Sequence, residues 1–144
     1  MPQTFYKIWI HCIWSTQERC ELLHDNIRGK VFSHIKDKAK KEGYYLDSIN
    51  GTIDHVHCLL SLNPKYCLSE VINKLKGESS HWINAEKLTK NHFAWQNGYS
   101  AFSVSESLVV KIRSYIKNQE THHAKLSSKE EIEKFLKLHK AHDK

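Results

Sequence analysis

The sequence predicts an α+β fold, a ferredoxin-like sandwich with helices on one face of an antiparallel sheet. Its segments follow the order strand, helix, strand, strand, helix, strand-like segment, helix. The dipeptide Asn50-Gly51 is typical of a hairpin turn and joins the two adjacent strands. With only 5 Gly and 2 Pro in 144 residues and no repeats, the chain is expected to form a single domain over residues 1–144.

The first strand and the first helix follow from their apolar spacing. Every second residue from Tyr6 to Trp14 is apolar, which predicts a strand. A helix is expected from about Asp25 to Glu42, with Asp25 or Asn26 as N-cap and Gly43 as its stop. Its buried stripe recurs every four residues, at Ile27, Val31, Ile35 and Ala39.

The hairpin and a second helix follow along the chain. Strands are expected at Tyr44–Ile49 and Ile53–Leu62, on either side of Asn50-Gly51. The second helix is expected from about Leu68 to Leu88, with Lys74 and Lys76 pointing outward. Residues 93–104 are expected to be irregular or strand-like.

Two more helices are predicted towards the C-terminus. One opens at Ser105-Glu106 and runs through about His123. The other follows a capping box at residues 127–131 and carries Ile132, Phe135 and Leu136 on its apolar face. With the helices on one face of the sheet, the other face is expected to be open.

Two histidines share one face of the second hairpin strand. Because side chains alternate along a strand, His55 and His57 point the same way, about 7 Å apart, while Val56 and Cys58 point towards the core. Two neutral imidazoles on a rigid element can begin a divalent-metal site. A chain with 11 His can also carry such a pair by chance, on an ordinary half-exposed strand.

The third helix carries a polar stripe. Four residues recur at spacings of four, four and three and therefore lie on one side of a helix: Lys111, Tyr115, Gln119 and His122. Taken alone, these would be a boundary tyrosine and a surface glutamine. They become informative beside a His-x-His strand in a basic domain.

The segment Asp54-His55-Val56-His57-Cys58-Leu59-Leu60 resembles the His-hydrophobic-His (HUH) motif of the tyrosine transposases of small bacterial insertion sequences and their repeat-associated relatives. Four other segments are similar to the same family, in the same order: residues 10–16, 75–80, 95–99 and 115–123. The resemblance spans roughly residues 5–125. Cys58 stands where an aliphatic residue is more usual, which is a conservative change.

The resemblance implies a set of site residues and partners. His55, His57 and Gln119 would bind a divalent metal, Mg²⁺ or Mn²⁺, and Tyr115 would be the nucleophile on single-stranded DNA. Members of the family form homodimers whose composite sites take the histidine pair from one subunit and the tyrosine helix from the other. They recognise hairpins near element ends. Lys76 and Lys111 are candidate DNA contacts.

The chemistry of strand transfer is consistent with these residue types. A tyrosine phenolate forms a 5′-phosphotyrosine and leaves a 3′-hydroxyl that can attack back, so no nucleotide energy is needed. Free tyrosine has a pKa near 10, so ionisation at pH 7 costs about 4 kcal/mol. A metal with three protein ligands keeps positions open for phosphate oxygens and stabilises the leaving 3′-oxygen.

Charge and cysteine content indicate the compartment and the partner. A net charge of +6 and a pI near 9.1 favour a polyanionic partner, nucleic acid first and an acidic membrane surface second. The four cysteines show no CxxC pair and no zinc-finger spacing. Without a signal peptide or a run of about 18 apolar residues, we expect a cytoplasmic protein with no membrane span.

Other functions remain open at this point. A domesticated relative would bind or nick repeat hairpins without mobilising an element, and it would keep the same residues. A non-catalytic metal-binding or nucleic-acid-binding module would not need Tyr115. A structural zinc site is least favoured, because no closed four-ligand spacing is present.

Overall fold

The computed structural model describes residues 3–119, 129–131 and 133–134. Residues 129–131 and 133–134 are helical. Short 3₁₀ turns occupy Gln17–Arg19 and Glu106–Leu108. The main elements are β1 (Trp9–Ser15), α1 (Asp25–Lys41), β2 (Tyr45–Gly51), β3 (His55–Ser61), α2 (Leu68–Ala85), β4 (Ser100–Val104) and α3 (Val109–Lys117).

The four strands form one antiparallel sheet in the order β2-β3-β1-β4. The two strand–helix–strand units are β1-α1-β2 and β3-α2-β4. In the sheet, β3 lies between β1 and β2, and β1 lies between β3 and β4, so each unit encloses one strand of the other. This split arrangement is that of a ferredoxin-like sandwich. The predicted fold class is confirmed.

One face of the sheet packs against α1 and α2. The predicted stripe of α1 is buried, and its residues Val31, Ile35 and Ala39 lie in one cluster with apolar residues of α2: Val71, Ile72 and Leu75. The sheet contributes the core-facing residues of its two central strands to this layer: Cys12, Trp14, Val56, Cys58 and Leu60.

The opposite face of the sheet is covered by α3, so the expectation of an open face was wrong. Ile116 and Val109 of α3 pack with Leu59 of β3 and Val104 of β4 in a second apolar cluster. Apolar residues on a helix require burial but do not specify which face of a sheet supplies it. The face that carries the histidines is therefore interior.

Polar contacts hold α3 against the edge strand β2. Arg113 makes a bidentate ion pair with Asp47, with Nε–Oδ1 and NH2–Oδ2 distances of 2.8 and 2.9 Å. Asn50 Nδ2 donates to the backbone carbonyl of Lys117 at 3.0 Å. The β2–β3 register shifts between Leu46 and Ser48, at the position of Asp47.

The hairpin is confirmed, but its turn lies later than predicted. Asn50 and Gly51 belong to β2 and pair with His57 and Val56, so the turn is formed by residues 52–54. A Cβ on Gly51 would stand 2.1 Å from the carbonyl oxygen of His55. Glycine is therefore required here for a close backbone approach, not for a left-handed turn.

Lys76 does not point outward as expected. Its side chain is 8% exposed, and Nζ donates to the carbonyl oxygens of Gln96 and Gly98 at 2.7 and 2.8 Å. The loop that follows α2 folds back over this lysine, and its carbonyls replace water around the ammonium group. Burial lowers the pKa of Lys76.

Helix ends differ from the predictions by a few residues. The N-cap position of α1 is His24 rather than Asp25 or Asn26, and α2 ends at Ala85 rather than Leu88. The third helix begins as a 3₁₀ turn. Its predicted continuation to His123, the serines of the capping box and the apolar residues Ile132, Phe135 and Leu136 lie outside the described residues. Within the part of the chain that the structure describes, no helix is long and apolar enough to cross a membrane.

Candidate active site

The centre of the site is the histidine pair of β3. Alternation along the strand sends Val56 into the core under α1 and α2 and sends both imidazoles towards α3. His55 and His57 have no exposed surface, and their ring centroids are 5.0 Å apart. The predicted placement of the two histidines on one face is confirmed.

A buried carboxylate completes a three-residue cluster. Oε1 of Glu131 lies 3.1 Å from Nε2 of His55 and 2.5 Å from Nε2 of His57. The potential ligand atoms of the three residues all lie within 4.8 Å of one another. Glu131 itself is 1% exposed.

Tyr115 reaches the same carboxylate from α3. Its hydroxyl donates to Oε2 of Glu131 at 2.5 Å, and its ring lies edge-on to His57 with centroids 5.9 Å apart. Burial raises the pKa of Tyr115 well above its usual value, and the hydrogen bond to the carboxylate of Glu131 raises it further. The phenol is therefore held as a hydrogen-bond donor in this state.

Each imidazole is oriented by a second contact through its Nδ1 atom. Nδ1 of His55 lies 2.8 Å from Oδ1 of Asp54 and 2.8 Å from Oγ1 of Thr52, both in the hairpin turn. Nδ1 of His57 lies 2.8 Å from Nε2 of His11 on β1. These contacts leave both Nε2 atoms facing the centre of the site.

The carboxylates determine the charge state of the cluster. Burial alone would lower the pKa of His55, but hydrogen bonds to Asp54 and Glu131 outweigh it and raise the pKa to about 9. Burial likewise would raise the pKa of Glu131, but hydrogen bonds from the two histidines hold it far below its usual range. Without a metal, His55 therefore retains a proton that a bound cation would displace.

The remaining predicted residues occupy different environments. Gln119 is fully buried, and neither atom of its side-chain amide has a hydrogen-bond partner among the described residues. Lys111 is exposed on α3. Lys76 is tied to the loop after α2, and His122 lies outside the described residues.

Sequence reasoning missed Glu131 and His11. No local signal identifies Glu131, because an acidic residue at the start of a predicted amphipathic helix is typical of a cap or a solvated face. His11 did carry a signal. It falls between the core-facing residues Ile10 and Cys12, so it belongs to the face of β1 that adjoins His57.

The donor set suits a divalent metal. Two imidazole nitrogens and a carboxylate oxygen on one side of an ion leave the other positions open for substrate. A fully buried amide with no partner among the described residues, that of Gln119, is a further oxygen donor close to Tyr115. The residues that are present therefore fit a bound metal.

The fold and the site together define a class of protein: a ferredoxin-like domain with an HUH histidine pair on a central strand and a tyrosine on a helix that packs over it. Residues 4–119 match the family model described as "Transposase IS200 like". The chain belongs to the IS200-like transposase family, which implies DNA strand-transfer activity. Glu131 lies beyond the matched residues.

Individual relatives agree with this assignment. The chain is 28% identical over 120 residues to the ISDra2 transposase TnpA of Deinococcus radiodurans, covering 79% of this chain and 85% of the relative. It is 25% identical over 124 residues to the transposase for insertion sequence element IS200 of Salmonella typhimurium, covering 83% and 81%.

Solved structures share the fold. A crystal structure of a Deinococcus radiodurans transposase superposes with a TM-score of 0.67 at 28% identity, over 83% of this chain and 95% of the other. A REP-associated tyrosine transposase bound to a REP hairpin superposes with a TM-score of 0.59 at 15% identity, over 87% and 72%.

Proposed function

We propose that this protein is a single-stranded DNA transposase that cleaves and rejoins strands through a 5′-phosphotyrosine on Tyr115. The observation that carries the proposal is the position of the Glu131 carboxylate. One oxygen contacts both His55 and His57, and the other accepts the hydrogen bond of Tyr115. The groups that the chemistry needs therefore meet at one buried point.

The metal in this proposal is Mg²⁺ or Mn²⁺, held by His55 and His57. The resemblance to the family supplies Gln119 as the third ligand, and the contacts of this chain support Glu131 in the same role. When bound, the metal would polarise the scissile phosphate and stabilise the leaving 3′-oxygen. A mixed nitrogen and oxygen donor set suits Mn²⁺ better than an all-oxygen site does.

Tyr115 performs the covalent step. Its Oη attacks phosphorus and the bond from phosphorus to the 3′-oxygen breaks. The phenolic proton, which Tyr115 directs at Oε2 of Glu131, passes through that carboxylate to the leaving 3′-oxygen, which becomes the 3′-hydroxyl. Return of the proton to the phenol accompanies the reverse attack of a 3′-hydroxyl.

The partners in this proposal are single-stranded DNA with hairpins at element ends and a second copy of the chain. Lys111 is exposed one turn before Tyr115 and is placed to meet a phosphate, whereas Lys76 would have to give up two carbonyl contacts to do so. A homodimer with composite sites would require exchange of α3, because here α3 contacts its own β2. We propose that the protein is cytoplasmic, because its proposed substrate is DNA.

The test is formation of a denaturant-resistant protein–DNA adduct. The protein is incubated with Mg²⁺ or Mn²⁺ and labelled single strands from both flanks of its own gene. The adduct should need the metal and disappear in Tyr115→Phe and His57→Ala. Tyr45→Phe is the matched control, because Tyr45 is exposed on β2 away from the site.

Each alternative function predicts a different outcome. A domesticated relative would nick or bind repeat hairpins but would not join strands from the flanks. A non-catalytic module would bind DNA equally well before and after Tyr115→Phe and would form no adduct with any single strand. Binding without an adduct, with double-stranded controls also uncut, would contradict the proposed transposase.

A further inference from the structure

A buried imidazole pair lies behind the metal-facing histidines. Nε2 of His11 and Nδ1 of His57 are 2.8 Å apart, and the two side chains are 1% and 0% exposed. His11 lies on β1, where its pairing partner is Leu59 and the partner of His57 is Ile13. The two rings thus approach diagonally across the central strand pair.

A hydrogen bond between two imidazole nitrogens contains a single proton. Nε2 of His57 faces Glu131 and His55, so it is the nitrogen that would bind a metal. That nitrogen must then carry a lone pair, and neutral His57 must carry its proton on Nδ1. Nε2 of His11 must in turn be the acceptor, which places the proton of neutral His11 on its Nδ1.

The two histidines of the pair are therefore supported by different groups. His55 is oriented by a carboxylate and a hydroxyl of the hairpin turn, Asp54 and Thr52. His57 is oriented by the imidazole of His11 on another strand. Hydrogen bonds to the second nitrogen of a metal-binding histidine commonly fix its tautomer and ring orientation.

We propose that His11 is a positioning residue that fixes the tautomer in which His57 presents Nε2 to the metal. This inference rests on the proposed function, since it presupposes a metal at the histidine pair. His11 also packs near Phe102 and Tyr115, with ring centroids 6.5 and 6.4 Å away. A merely space-filling role would be served equally well by another ring of similar size.

The test compares two variants of His11. His11→Phe keeps a ring but cannot accept a hydrogen bond from Nδ1 of His57, whereas the amide oxygen of His11→Gln can accept it. Mn²⁺ affinity is measured by titration calorimetry on the full chain, after circular dichroism has established that each variant is folded. His11→Phe should bind Mn²⁺ about 10- to 100-fold more weakly, and His11→Gln should recover most of that loss. His92→Phe, at an exposed histidine, is the control and should bind like the parent.

A second readout does not depend on affinity. In ¹⁵N-histidine spectra of the Mg²⁺-loaded protein, His57 should show a protonated Nδ1 in the parent and in His11→Gln, and should lose that signature in His11→Phe. Equal Mn²⁺ affinity and equal His57 spectra in the parent and His11→Phe would overturn the inference alone. Failure of the parent to bind either metal would overturn the metal-dependent part of the proposed function, and this inference with it.

Discussion

Replacement of Gly51 by alanine tests how closely the hairpin and the site are linked. The added Cβ would stand 2.1 Å from the carbonyl oxygen of His55 and 3.0 Å from the Cα of Val56, and all of these neighbours are backbone atoms. The two strands must therefore separate by about 1 Å, which is a form of overpacking that typically costs about 1–3 kcal/mol. The hydrogen bond from Thr52 N to His55 O, 3.0 Å long, would be strained or lost, adding about 1 kcal/mol.

The expected effect of Gly51→Ala is a loss of about 2–4 kcal/mol in the free energy of unfolding. For a chain of this size, that corresponds to a decrease in Tm of roughly 6–12 °C, measured by differential scanning calorimetry. Gly77→Ala is the matched control. A Cβ on Gly77 meets nothing within 4 Å, so the change should stabilise α2 by about 0.5–1 kcal/mol.

The same substitution should weaken metal binding by more than its effect on stability accounts for. His55 and its two orienting neighbours, Thr52 and Asp54, move with the displaced strand end, so Mn²⁺ affinity at about 20 °C should fall about tenfold or more. Gly77→Ala should leave the affinity unchanged. A Gly51→Ala protein with parental Tm and parental Mn²⁺ affinity would refute the assignment of Gly51 as a close-contact position.

Three further predictions concern charge, assembly and the loop after α2. The pKa of His55 is about 9 in the folded state against an ordinary value of 6.5. Its contribution to stability is therefore complete below pH 6.5 and is lost as the pH rises through about 9. The Tm of the metal-free protein should fall over that range, and His55→Gln should make the Tm less dependent on pH. Mixing Tyr115→Phe with His57→Ala should restore the DNA adduct only if partner chains exchange α3, so an adduct from the mixture would establish composite sites. Lys76→Met should lower the free energy of unfolding by about 1–3 kcal/mol, because two loop carbonyls lose their hydrogen-bond donor. Denaturant unfolding measures this change, and an unchanged unfolding midpoint would contradict the structural role of Lys76.

Strand periodicity was sufficient to place half of the site. A period of two puts His55 and His57 on one face, and a spacing of four gives the buried stripe of α1; both were confirmed. Helical spacing also placed Tyr115 and Gln119 on one side of a helix. These features depend only on local geometry, which the sequence specifies directly.

The tertiary arrangement of these elements could not be predicted from local patterns in the same way. The apolar residues of α3, such as Ile116, would pack equally well on either face of a sheet, so the open face could not be excluded. Glu131 is separated from Tyr115 by a segment whose path no local rule fixes. Lys76 would be expected in solvent on any helix, because the carbonyls that surround it come from a loop about 20 residues later.

The contacts that place Tyr115 in the site also bear on whether the site is built from one chain or two. The Arg113–Asp47 pair is partly exposed, and pairs of this kind contribute at most about 1 kcal/mol. Burial of Ile116 against Leu59 adds more, but all of these contacts join α3 to the sheet of its own chain, and a second copy of the chain would offer the same sheet. If α3 were exchanged between two copies, each contact would be made again with the partner. The free energies of the two arrangements would then differ in two ways only: through the segments that connect α3 to the rest of the chain, and through the dimer interface. The contact energy within one chain therefore cannot decide between them, whereas complementation between Tyr115→Phe and His57→Ala can.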